Sequence, residues 1–427
     1  MKKTILSGYF FTFLLFHACS LQTPMEQGKV YDHVVLKKDT TLSYAIYIPK
    51  NKAPENTLAF IFFDPHGSGV MPVRKYQNLA DEFGILLIGN NNSSNGTDMS
   101  TIAMHFSLLL EELKNELHLQ EKNIALWGFS GGAKSAMYNT GLNNTIHYCI
   151  YGGAVENIDR NFEMLGFNGR QDMNYTDLLG FASTYRNNAK HFQIQFQGKH
   201  AWPDTTTAKD GFRWLLLKKM QQKEITADPV FIASTEKIYK SEVEKNIADQ
   251  EWTDAFFDCN KAIHFLGGMA DTRFFSDKKT DLIQQTGFKQ QVDALESTVM
   301  KESQIKEEYR QNFSSKDTLY WKKEIDGLWE KAKTDKSGMY DRLLGFLSLA
   351  SYSYANRAFQ GNDLHAIEYI LFIYRHSDPT NPEQALMRAR MYVLKSDLVN
   401  ARMALKEAIQ LGIDKNRISE DVLLKNL

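Results

Sequence analysis

The chain has 427 residues, 43% of them apolar, and a formal net charge of −1. It has apolar sequence for more than one core and lacks the basic excess that a nucleic-acid partner would demand. Acidic and basic residues are interspersed, as on a solvated surface. Lys2 and Lys3 precede an apolar stretch over 4–16, and His17-Ala18-Cys19-Ser20 closes it. That pattern is an export signal, and its apolar run falls short of the ~20 residues a membrane-spanning helix needs. Cys149 and Cys259 are expected to be buried free thiols. No His/Cys group has metal-ligand spacing and no Gly-x-x-x-x-Gly-Lys loop occurs, so neither a metal nor a cofactor is expected.

Alternation of apolar with polar or aromatic residues predicts strands over 30–36 and 42–49, and the run 58–63 predicts another that ends in Asp64-Pro65-His66-Gly67-Ser68-Gly69. A helix over 73–83 leads to a buried strand over 84–89 and then to a polar loop, 90–97, rich in Asn and Ser. Ligands bind at the C-terminal ends of strands in open α/β sheets, which makes this loop a candidate wall of a site. Positions 102, 106, 109, 110, 113 and 117 place one apolar stripe on a helix over 99–119. The strand 123–128 runs into Gly128-Phe129-Ser130-Gly131-Gly132, with a helix from about 133. A strand that turns at once into a helix at Gly-x-Ser-x-Gly projects its serine from a bend where strand and helix crowd together. Further strands are predicted over 147–151, 162–167 and 191–196; a turn at 168–172 ends in Asp172, and a helix covers 176–189. The loop Gln197-Gly198-Lys199-His200-Ala201-Trp202-Pro203 follows, ahead of a helix around 210–220.

A serine hydroxyl needs a histidine to take its proton, and that histidine needs a carboxylate to orient it. Here the order is Ser130, Asp172, His200, each just past a predicted strand. Asp159 and Asp204 are rival carboxylates, the second close in sequence to His200. In this order, and in the Gly169-x-x-Asp172 turn and the Gly198-Lys199-His200-Ala201-Trp202-Pro203 loop, residues of about 30–222 resemble an α/β-hydrolase, closest to the dienelactone hydrolase and feruloyl or polyester esterase branches. The resemblance implies Ser130 as nucleophile, His200 as general base and then acid, and Asp172 as the orienting carboxylate. It also implies an oxyanion hole made by the amide of Gly131 and by a donor in the His66-Gly67 loop, Ser68 first and Gly67 second. Trp202 is read as a wall of the substrate pocket or, alternatively, as packing beneath the histidine loop. With no long insertion over 153–162, the site is expected to be open unless a second domain leans over it. The implied substrate is a small-molecule or glycan-linked carboxylic ester. Prolyl-oligopeptidase-like peptidases share the Gly-x-Ser-x-Gly-Gly pattern and stay as an alternative.

Past Thr226-Ala227-Asp228-Pro229 strand alternation gives way to helical patterns that reach the last residue, Leu427. Ala389, Tyr392, Ala401, Leu405 and Ala408 fall at the small and bulky positions of a tetratricopeptide repeat, and Tyr354, Ala366, Ile370 and Ile373 mark a second copy one repeat length earlier. A weaker copy includes Ala255 and Ala262, and the Trp-Leu-Gly signature is missing from all of them. This stretch therefore resembles a degenerate tetratricopeptide array, which implies a possible protein partner in its concave face. The segment ending in Cys19 resembles a bacterial lipobox, which implies cleavage before Cys19, its acylation, and a lipid-anchored enzyme of the cell envelope in the periplasm or at the outer membrane. The alternative is an ordinary secretory signal. The expected organisation is a signal peptide over 1–19, an α/β-hydrolase domain over 20–225 and an all-α helical-repeat domain over 226–427. The rival function from another class is an inactive hydrolase-fold scaffold whose repeats recruit a partner.

Overall fold

The structure is a computed structural model that describes residues 25–50, 57–157, 162–185, 188–413 and 415–427. Two sequence-level candidates, Cys19 and Asp159, lie outside the described residues. The strands are β1 (Val30–Val35), β2 (Ser43–Tyr47), β3 (Ala59–Phe63), β4 (Leu86–Asn90), β5 (Ile124–Phe129), β6 (Tyr148–Gly152), β7 (Glu163–Gly169) and β8 (His191–Phe196). They form one eight-stranded sheet in the order β1-β2-β4-β3-β5-β6-β7-β8. β2 is antiparallel to both its neighbours, and every pairing from β4 to β8 is parallel. The helices among these strands are α1 (Val70–Phe83), α2 (Met99–Leu117), α3 (Gly131–Leu142), α4 (Tyr175–Thr184) and α5 (Thr205–Gln221).

Parallel strands need cover on both faces, which is why β3 to β6 read as apolar runs. Their side chains sort with period two: Phe60 and Phe62 pack with α1 and α5, while Ala59, Ile61 and Phe63 pack with α2 and α3. Trp127 is the hub of the first face, stacked between Tyr76 at 5.4 Å and Phe167 at 5.5 Å. This is the sheet of an α/β-hydrolase fold, and a helical region follows it.

That region contains α6 (Pro229–Ala248), α7 (Trp252–Leu266), α8 (Arg273–Leu282), α9 (Thr286–Asn312), α10 (Thr318–Ala332), α11 (Met339–Gln360), α12 (Leu364–Ser377), α13 (Pro382–Leu394), α14 (Leu398–Gln410) and α15 (Lys415–Glu420). Its starts are written locally: Asp228, Asp317, Asp363, Asn381 and Asp397 each accept amide hydrogen bonds at an N-terminus, and Pro229 and Pro382 fill first-turn positions. Ile232, Tyr239 and Val243 of α6 and Ala255, Cys259 and Phe265 of α7 join the apolar cluster that covers one face of the sheet. Lys261 of α7 reaches back to Asp210 of α5 at 3.0 Å. Later helices build successive smaller cores, and the repeat-type alanines Ala389, Ala401 and Ala408 are all fully buried where α13 meets α14.

Several boundaries differ from the sequence reading for identifiable reasons. The helix expected at 210–220 begins at Thr205, because Asp204 caps it by accepting from the amides of Thr206 at 2.8 Å and Thr207 at 3.0 Å. The helix expected over 176–189 ends at Thr184, where the Tyr185 amide turns back to Ala182 at 3.2 Å. Cys149 and Cys259 are both buried and unpaired, and burial pushes each thiol up to about 12.

Candidate active site

The site begins with a backbone that the sequence forces. Ser130 follows β5 and adopts φ 53° and ψ −126°, a region that side chains other than glycine avoid, at a cost of about 1–3 kcal/mol. Its amide donates to Gly152 O at the end of β6, 2.7 Å away, and its carbonyl accepts from Ala133 at 2.9 Å. The flanking glycines are steric requirements. A Cβ on Gly128 would lie 2.2 Å from Gly132 O, and one on Gly132 would lie 1.9 Å from Phe63 O. Helix α3 starts directly at Gly131, earlier than the sequence suggests, so its first amides face the space above Ser130.

Asp172 and His200 come from the ends of β7 and β8. His200 Nδ1 lies 2.9 Å from both Asp172 oxygens, and its Nε2 lies 2.9 Å from Ser130 Oγ. With Nδ1–H donating to the carboxylate, Nε2 is left to accept from the hydroxyl. Asp172 is 2% exposed, so this contact sits in a medium that screens it weakly. The acid turn is tight: Asp172 Oδ1 also accepts from the Asn174 amide at 2.9 Å, and the Gln171 amide donates to Gly198 O at 2.9 Å, tying the acid turn to the histidine loop. Asp204 has another occupation. Burial raises its carboxyl, but the hydrogen bonds from Thr207 and Thr206 outweigh that and hold it below the usual range as a helix cap.

Beside Ser130 lies a cleft of about 270 Å³, walled by Asn95, Thr97, Met99, Ile102, Lys134 and Asn174 among others, and Gly131 lines it. The polar loop after β4 therefore borders the site, as its position at a strand end implies. The Asn95 amide donates to Pro65 O at 2.7 Å and Ser94 bridges to His66, so this loop is strapped to the one that carries Gly67 and Ser68. Among the described residues, neither the Gly131 amide nor the Ser68 amide meets an acceptor. Gly67 and Ser68 are not among the residues that wall it. Trp202 is not a cleft wall. It is 5% exposed, it packs on Phe62 and Phe129 at ring distances of 5.7 Å, and its Nε1 donates to Asp64 Oδ2 at 2.9 Å. An indole with a buried carboxylate partner beneath it is more stable inside the core than in a wet cleft, which corrects the pocket-wall reading. Among the described residues, none of the helical region lines the cleft.

Three residues that matter here carry no sequence signal by themselves. Asp64, 2% exposed, accepts from the His66 amide and from Trp202, so one carboxylate couples the Ser68 loop to the histidine loop. Asn174 donates to Gly153 O at 2.7 Å, fixing the acid turn to the end of β6. Asn95 lies so close to Gly131 that a Cβ there would be 1.8 Å from its Oδ1. An Asn after a strand is ordinary turn chemistry, so only the folded chain distinguishes these from others.

No protein-family model matches the chain, and no curated protein matches its sequence. Among solved structures it is similar to Est1E from Butyrivibrio proteoclasticus, with 12% identity and a TM-score of 0.36 over 44% of this chain and 99% of the other. It is also similar to the Francisella virulence factor BioJ, with 11% identity and a TM-score of 0.38 over 45% of this chain and 86% of the other. A carboxylesterase from Mesorhizobium loti matches at 12% identity and a TM-score of 0.35, covering 44% of this chain and 99% of that one.

Proposed function

We propose that this chain is a serine hydrolase that cleaves carboxylic esters through an acyl-enzyme on Ser130. The observation that carries the reading is the continuous hydrogen-bonded path from Ser130 Oγ through His200 to the buried Asp172, at a backbone bend strained toward the cleft. In this reading Ser130 Oγ attacks the ester carbonyl while His200 Nε2 takes its proton. Asp172 stabilises the resulting imidazolium, and the amide of Gly131, which lines the cleft, holds the oxyanion, worth roughly 10²–10³-fold. His200 then gives the proton to the departing alkoxide, and water releases the acyl group by the same route in reverse.

Ester rather than amide cleavage rests on the likeness of the Gly198–Pro203 loop to esterase histidine loops. Export and lipid attachment at Cys19 belong to the same proposal; among the described residues no helix is long and apolar enough to cross a membrane. The helical region, in this proposal a tetratricopeptide-like array, binds a protein partner as its second role. The test is covalent labelling of the chain by a fluorophosphonate, with Ser130→Ala and His200→Ala beside wild type, followed by a panel of aryl, alkyl and sugar esters. Labelling of wild type alone supports the reading. A folded wild type that resists the probe removes it and leaves the scaffold reading.

A further inference from the structure

The helical region meets the site from behind, through the backbone that carries Asp172. Arg342 of α11 is fully buried, and its Nη1 donates to Arg170 O and, at 2.7 Å, to Ser337 O. Lys306 of α9 donates from Nζ to Met173 O at 3.0 Å. These two carbonyls bracket Asp172. Both cations converge on one carboxylate, the fully buried Glu302, with Arg342 Nε at 2.7 Å from Oε2 and Lys306 Nζ at 2.7 Å from Oε1. The Arg342 guanidinium also lies over the Tyr175 ring, 4.8 Å from its centre, at the first residue of α4.

The approach is close. Gly338, at φ +72°, precedes α11, and a Cβ there would be 2.5 Å from Arg170 O. The histidine loop is held from the same helix, since Lys199 pairs with Asp341 at 2.9 Å. Burying two cations and a carboxylate is costly unless every charge is matched. Here carbonyls of the acid turn supply acceptors to Lys306 Nζ and Arg342 Nη1, so displacing that turn would cost each buried cation a hydrogen bond.

We propose that Lys306 and Arg342, oriented by Glu302, are positioning residues for Asp172, and that Asp341 does the same for the His200 loop, so that the helical region is part of the hydrolytic machinery without touching substrate. The inference rests on the hydrolase reading above. The experiment uses the full chain and two readouts: steady-state ester hydrolysis with fluorophosphonate labelling, and the downfield proton resonance of the His200 Nδ1–H, assigned by its loss in His200→Ala.

Lys306→Met, folded by thermal unfolding and circular dichroism, is expected to broaden or shift that resonance. It should also lower kcat roughly 10–100-fold with KM little changed, the cost of a small displacement of a catalytic group. Lys306→Arg, which keeps a donor, is expected to restore both readouts. Lys199→Met breaks the second tie at an exposed side chain that the fold does not need, and it keeps the test alive if Lys306→Met fails to fold. Arg388→Gln, whose ion pair with Glu407 joins α13 to α14, is the control and should change neither readout. Folded Lys306→Met and Lys199→Met proteins that keep the wild-type resonance and rate would overturn the proposal. A wild type that neither labels nor hydrolyses would remove the hydrolase reading instead, while the resonance still reports where Asp172 stands.

Discussion

The two halves of the site are supported in different ways. Ser130 is held by its own sheet: β5 and β6 fix the bend, and two glycines let strand, helix and Phe63 come together. Asp172 and His200 lie in the loops that follow β7 and β8 of the same sheet, and those loops lean on helices that arrive much later in the chain. The Ser130 bend is thus a local solution, whereas the placement of the Asp172 and His200 loops is a tertiary one. The lesson is that helices arriving after a complete sheet can still hold the backbone of a loop at that sheet's edge.

This contrast can be broken at several points. Ser130→Ala should leave the fold intact and reduce ester turnover by roughly 10⁵–10⁶-fold, read from kcat on an activated ester. Asp172→Asn keeps the shape of the turn but disturbs the histidine's tautomer and removes its counter-charge; a loss of about 10⁴-fold in kcat is expected. Activity surviving Asp172→Asn would assign the acid to another group. Gly338→Ala attacks the tertiary half alone, since its Cβ would press on Arg170 O. It should destabilise the protein by about 1–2 kcal/mol in urea unfolding, and turnover should fall while the Ser130 bend is untouched.

The remaining expected effect is one of pH. Burial pushes the His191 imidazole down to about 4, against ~6.5 in an unfolded chain. The unfolded state therefore binds the extra proton first. Stability is fully present above pH ~6.5 and is lost as pH falls toward 4, on the order of 3 kcal/mol in all. His264 of α7, pushed down to about 3 by burial, with the Lys218 and His191 charges adding to it, acts in the same direction. His191 lies on β8 and His264 stacks on Phe192 of that strand at 5.1 Å, so acid should loosen the side that carries His200. Urea midpoints measured at pH 7.5 and pH 5 should fall with acidification, and His191→Gln should flatten the difference.

Much of the candidate site was legible because the residues that meet there lie in short motifs. The strand–Gly-x-Ser-x-Gly–helix unit, the chain order Ser130, Asp172, His200 and the glycine-rich turn before Ser68 are all local patterns. Their strands follow from apolar runs that only a covered parallel sheet accommodates. Local signals failed where two elements compete for one residue. Asp204 reads as a rival carboxylate to Asp172 until the Thr206 and Thr207 amides are seen to occupy it. Trp202 reads as a pocket wall or as packing beneath the histidine loop until Asp64 is found to accept from its indole.

By itself, the sequence determined the period of each element, the α/β-hydrolase order and the residues placed at strand ends. Tertiary structure alone decided that Arg342 and Lys306, separated from the acid turn by more than a hundred residues, grip the carbonyls on either side of Asp172. The physical reason is that a charge in a helix pattern reads as solvated surface. Only packing takes Arg342 and Lys306 out of water, and only then must each find an acceptor, which the acid turn provides.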